Sequence, residues 1–150
     1  MSTVDAISML NRLVVVAKDG QAALKAAAEE VYHEDLQRAL TEFSAFFGDA
    51  ADELQAAVRG LGGHPKGLGT FANTLHRTWM HLKAAALGRD EAVILDAIET
   101  DETLGEQMLA EAVQWGTPPP VHAMLVRLHQ GARERHDVIR RIRAQLAETA

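Results

Sequence analysis

Apolar side chains recur along this chain in steps of three and four rather than two. Ile7, Leu10, Val14, Ala17, Leu24, Ala27 and Val31 fall at helical spacing. That pattern predicts one long helix over residues 3–33, with Ser2 or Thr3 as its cap and Asp5 in the first turn. "HED" (33–35) reads as a tight connection. Leu36, Leu40, Phe43, Phe47, Ala50, Leu54, Ala57 and Leu61 then mark a second helix over 35–61. "GLGGHPKGLG" (60–69) ends it with glycines and a proline, residues that terminate helices. A shorter helix is predicted over about 70–87, a fourth over about 90–115 and a fifth over about 119–148. "LGRDE" (87–91) and "WGTPPP" (115–120) separate these last three, and proline is tolerated in the first turn of the fifth. No strand alternation, repeat or low-complexity tract interrupts the pattern.

Helix lengths suggest how the elements pack. At ~1.5 Å per residue the four long helices are each about 40–45 Å, and the 70–87 helix is about 30 Å. Four matched helices plus one shorter one predict an all-α four-helix bundle in a single domain, residues 1–150, with 70–87 as a crossover. In that arrangement the second and fourth predicted helices run parallel. An up-down bundle of five helices is the alternative.

Composition narrows the function classes. The 150 residues carry a formal net charge of -6 and no cysteine. The negative charge argues against nucleic-acid binding. The absence of cysteine excludes disulfides, thiolate chemistry, zinc fingers and iron–sulfur clusters. No basic amphipathic segment and no run of ~20 apolar residues points to a membrane. "MSTVDAISML" does not read as a signal peptide, so a cytoplasmic location is expected. A homo-oligomer or a protein partner would be met through the outer helix faces.

Two polar residues interrupt apolar stripes near mid-bundle. Glu102 sits in the stripe Leu95, Ile98, Gly105, Leu109 and Ala112. His136 falls on the face of Leu125, Ala132 and Ile139, inside the charged run "RERHD". Asp19 is at the edge of its helix's core face. A lone buried charge is costly unless it is paired or holds a metal, and carboxylates with histidine suit iron, manganese or zinc. Di-metal bundles use one Glu from each of two helices and Glu-x-x-His from each of the other two. Here Phe47, Ala50 and Arg133 stand where further ligands would be. A two-metal oxidase is therefore not expected. The favoured expectation is a metal-free ionic layer in which Arg133 joins Glu102, Asp19 and His136. The competing one is a single-metal site of Asp19, Glu102 and His136, with Glu53 or His76 assisting.

Other chemistry-bearing residues read as packing. His76, Trp79 and Lys83 share one face of "TLHRTWMHLK", and an indole there most simply packs the crossover helix. His122, His129 and His136 are seven apart, so neighbours stand ~10.5 Å apart and cannot share an ion. The glycine-rich loop follows a helix and lacks a phosphate-loop ending, and no hydrolase motif is present.

"KDG" (18–20), "AAAEEV" (26–31), "DELQAAVRGLGGHP" (52–65), "TLHRTW" (74–79), "ILDAIETDE" (94–102) and "RHDVIRRIR" (135–143) carry a resemblance. With these stretches the chain resembles a bacterial family of ferritin-like four-helix-bundle proteins classed as a domain of unknown function. The resemblance implies a ferritin-like fold with a crossover before the third long helix, and a role in stress or metal homeostasis. It implies that Asp19, Glu102 and His136 lie where bacterioferritin-type proteins carry helix-one Glu, helix-three Glu and helix-four His. It assigns no role to Glu53 or His76.

Overall fold

The computed structural model describes residues 1–66 and 91–149. These form four α-helices: α1 Thr3–Glu30, α2 Glu34–Gly60, α3 Glu91–Val113 and α4 Pro119–Thr149. No strand occurs among the described residues. None of their helices is long and apolar enough to cross a membrane. The predicted helix over 70–87, with His76 and Trp79, lies outside the described residues.

The observed boundaries follow from identifiable caps. Ser2 accepts a hydrogen bond at its hydroxyl from the Asp5 N–H at 3.1 Å, which satisfies one of the orphan donors at the start of α1. α1 stops at Glu30, short of the predicted residue 33. Glu91 holds the chain open there. Its carboxylate accepts from the backbone N–H of Tyr32 at 2.6 Å and of His33 at 3.2 Å, and its other oxygen meets His33 Nδ1 at 2.8 Å. At the other end of α2, Gly62 adopts φ 86° in the turn that follows Leu61, a conformation that costs glycine little.

That clip fixes the topology. The first residue of α3 touches the turn between α1 and α2, so α2 and α3 start at the same end of the bundle. They therefore run parallel, as helix lengths predict for the crossover arrangement. α1 packs most extensively on α2, and each of the two also packs on one of the remaining pair: α1 on α3, α2 on α4. α3 and α4 close the ring. Arg127 near the start of α4 pairs with Glu53 late in α2. Arg143 near the end of α4 pairs with Asp96 early in α3. α4 is thus antiparallel to both neighbours.

The core is one continuous apolar cluster along the bundle axis. Leu10, Val14, Leu24, Leu36, Leu40, Phe43, Leu54, Ile94, Ile98, Leu125 and Leu128 are fully buried. Each such side chain contributes about 1.5–3 kcal/mol relative to exposure. Phe43 and Phe47 stack at 4.9 Å between ring centroids, and Phe46 meets Phe47 edge-on at 5.5 Å. This aromatic group fills the α2 side of mid-bundle, where Phe47 lies 3.3 Å from the position a Cβ on Gly20 would take.

A polar strut ties the loop after α2 to α1. Asn11, buried on α1, donates its amide to the His64 carbonyl at 3.1 Å and accepts from the Lys66 N–H at 2.8 Å. Asn11 interrupts an apolar stripe as Glu102 and His136 do, and both sides of its amide are satisfied.

Candidate functional site

The mid-bundle polar residues arise where helical periodicity brings a charged position onto a core face. On α3 the buried stripe is Ile94, Leu95, Ile98, Glu102, Gly105, Leu109 and Ala112. On α4 it is Met124, Leu125, Leu128, Ala132, His136 and Ile139. Glu102 is 3% exposed and His136 1% exposed. Both therefore lie inside, as their stripes predict.

Their surroundings differ from the expected ionic layer. His136 stands between two α3 carboxylates: its Nδ1 is 3.4 Å from Glu106 Oε2, and its Nε2 is 3.7 Å from Glu99 Oε1. Neither ring nitrogen has a hydrogen-bond partner, although buried polar atoms usually do. Glu99 is already occupied on its outer side, by Arg140 at 2.8 Å and Arg143 at 3.6 Å. Glu106 is half-buried, and the Arg140 charge acts on it as well as on Glu99.

Glu102 faces the other way, towards α1. With Asp19, Asp101, Gly20 and Phe47 it lines a cavity of about 80 Å³. Burial pushes its carboxyl well above the usual range, and the neighbouring Asp101, Glu106 and Asp19 charges push it further. Asp19 is half-buried at the cavity wall.

Arg133 corrects the sequence expectation: it is exposed and takes no part in a buried layer. Ala132 is at the centre of the α4 stripe, and at about 100° per residue Arg133 points roughly 100° away from it. His136 is only about 40° from that centre on the same reckoning, so it turns in while the arginine one turn earlier turns out. Among the described residues no lysine or arginine is buried. The buried carboxylate and histidine therefore have no buried side-chain cation beside them in this part of the chain.

Glu53 is also placed elsewhere. It is half-exposed, held in a two-pronged ion pair by Arg127 at 3.0 and 2.7 Å, and lines a groove between α2 and α4 with Phe46 and Arg135. The Arg135 guanidinium stacks 4.3 Å from the Phe46 ring centroid. His122 is exposed and His129 half-buried, in keeping with their expected place at the side of the bundle. His76 lies outside the described residues.

The expected set Asp19, Glu102 and His136 is thus divided. Asp19 and Glu102 share the cavity against α1, and His136 faces Glu99 and Glu106 across the α3–α4 seam. Among the described residues, no three His, Asp or Glu side chains already stand together as a metal-ligand set. Sequence reading missed Glu99 and Glu106. The signal was present: they lie three before and four after Glu102, on neighbouring positions of the same helix side.

A family model described as a domain of unknown function, DUF2383, matches residues 5–114. The chain belongs to the DUF2383 family. No curated protein matches the chain. The DUF2383 match takes in α1, α2 and α3, and with them Asp19, Glu99, Glu102 and Glu106. α4, which supplies His136, lies beyond it. The DUF2383 region therefore carries the acidic half of the candidate site, and the last helix carries the imidazole.

Proposed function

We propose that this DUF2383 protein is a ferritin-like bundle that binds one divalent transition-metal ion, iron, manganese or zinc, in its mid-bundle polar layer, without two-metal oxidase chemistry. Such a protein would serve metal homeostasis or a stress response. The observation that carries the reading is the buried His136, both of whose nitrogens lack a hydrogen bond while carboxylates face them. An imidazole and carboxylates are suitable donors for these ions. With Arg133 turned outward, no buried lysine or arginine among the described residues balances the buried Glu102.

The oxidase alternative lacks support on the α2 side. Phe47 and Ala50 are buried there, and the aromatic stack fills the space with groups that cannot ligate. The protein's own groups would hold and orient the ion and shield it from water. A bound divalent ion would act as a Lewis acid or as a stored cargo.

A second reading has its own observation. The raised carboxyl pKa of Glu102 suits a metal-free layer in which a proton neutralises that buried carboxyl, and the protein is then a structural or docking module. Metal analysis of protein purified without an affinity tag separates the two. About one equivalent of iron, manganese or zinc per chain, with a raised melting temperature on metal addition, supports the binding reading. Trace metal and unchanged melting overturn it.

A further inference from the structure

The cavity on the α1 side, lined by Glu102, Phe47, Gly105 and Met108, is set apart from His136 and the carboxylates that face it. We infer that this cavity is a binding site for a short primary alkylammonium ion, whose nitrogen donates hydrogen bonds to Glu102 and whose hydrocarbon packs on Phe47 and Met108. The site does not depend on the single-ion reading above.

Three observations carry this. First, Glu102 is 3% exposed, lines the cavity, and has no hydrogen bond or ion pair among the described residues. A buried carboxyl without a partner is costly, and a donor seated in the cavity removes that cost. Second, a glycine keeps the space open. A Cβ on Gly105 would stand 3.8 Å from Val16 Cγ1, an ordinary van der Waals contact. Alanine would fit there and is the better helix residue, yet glycine holds this position in the interior of α3. Third, Val16, Ala23, Phe47, Leu104 and Met108 make most of the wall apolar. An apolar wall with few polar groups is the usual composition of a site for a small organic ligand.

The class of ligand follows from the lining. Among the described residues, Asp19, Asp101 and Glu102 do not stand together as a metal-ligand set, and the apolar wall disfavours a bare ion. Like charges on Asp101, Glu106 and Asp19 help hold the Glu102 carboxyl above its usual range, and the same charges favour a cation in contact with it. No lysine or arginine among the described residues is buried to supply one. Asp19 and Asp101 have interactions of their own, and the assignment asks for neither as a contact. Size sets the chain length. A cavity of about 150 Å³ takes benzene, so the space of about 80 Å³ here suits a nitrogen with about two to four carbons. Asp101 and Leu104 are exposed and stand at the mouth.

The test uses the full chain at neutral pH and constant ionic strength, titrated with propylammonium chloride and followed in amide and methyl NMR spectra. Saturable binding is expected, with shifts centred on Gly20, Gly105 and Met108. Glu102→Gln should weaken it at least about tenfold, the size of a lost hydrogen bond to a charged group. Gly105→Ala should raise the melting temperature and abolish saturable binding, because its Cβ takes the ligand's space. Propanol, of the same shape without the charge, should bind at least about tenfold more weakly than the ammonium. Parent-like affinity in either variant overturns the assignment. So does equal affinity for propanol, and so do shifts that rise without saturation across the acidic surface.

Discussion

His136 Nδ1 faces Glu106 Oε2 at 3.4 Å, and Arg133, one turn earlier on the same helix, is exposed. Arg133 therefore does not supply the charge that would balance the buried Glu102. Replacing Arg133 with Gln should change unfolding free energy by no more than about 0.5 kcal/mol, as for an ordinary surface position. A buried salt-bridge partner would instead cost about 3–5 kcal/mol. Urea denaturation at neutral pH distinguishes the two.

Glu102→Gln should stabilise the metal-free protein at neutral pH. Burial and the surrounding carboxylates raise the Glu102 pKa in the fold, so the folded state holds this proton more tightly than the unfolded one. Its favourable contribution is complete below the ordinary carboxyl value, about pH 4.3, and is lost as pH rises through the folded value. The variant's advantage should therefore grow with pH and vanish below about pH 4. Denaturation curves at several pH values, in chelator, check the sign. An advantage that grows towards acid contradicts it.

Glu91 behaves in the opposite sense. Burial raises its pKa, but hydrogen bonds from Tyr32 N–H, the His33 ring and His33 N–H outweigh that and leave it lowered. Its stabilisation is present above the ordinary carboxyl range and is lost as pH falls through the lowered folded value. Glu91→Ala should cost about 1.5–3 kcal/mol at pH 7, the range for hydrogen bonds to a charged group. The cost should shrink on acidification below about pH 4. Hydrogen exchange of the Tyr32 and His33 amides should quicken in the variant.

Phe47→Ala should cost about 3–5 kcal/mol, the usual range for deleting a buried aromatic ring. It removes the centre of the aromatic stack and the ring against Gly20. Because Phe47 fills the α2 side without ligating, Zn²⁺ affinity in the folded variant should be far less affected than in His136→Gln. Parallel thermal melts and calorimetric titrations measure both effects.

The sequence discloses some of this and hides the rest for physical reasons. Helix spans follow from periodicity, and the inward Glu102 and His136 follow from the stripes they interrupt. Parallel α2 and α3 follow from matched lengths. The end of α1 does not, because it depends on Glu91, a residue 59 positions beyond Tyr32. The outward turn of Arg133 was legible in principle, since it depends only on the angular distance from Ala132. Glu99 and Glu106 escaped notice because they flank the apolar stripe rather than interrupt it. Which of the two faces of the acidic cluster His136 would meet depends on how α4 packs on α3, and no pattern within one helix records that.

The central claim is tested most directly by anomalous diffraction from crystals of the tag-free chain grown with one equivalent of Zn²⁺. The account predicts one dominant peak inside the mid-bundle layer, at about 2.0–2.2 Å from a ring nitrogen of His136. Peaks confined to surface histidines such as His122, with nothing between α3 and α4, would contradict it.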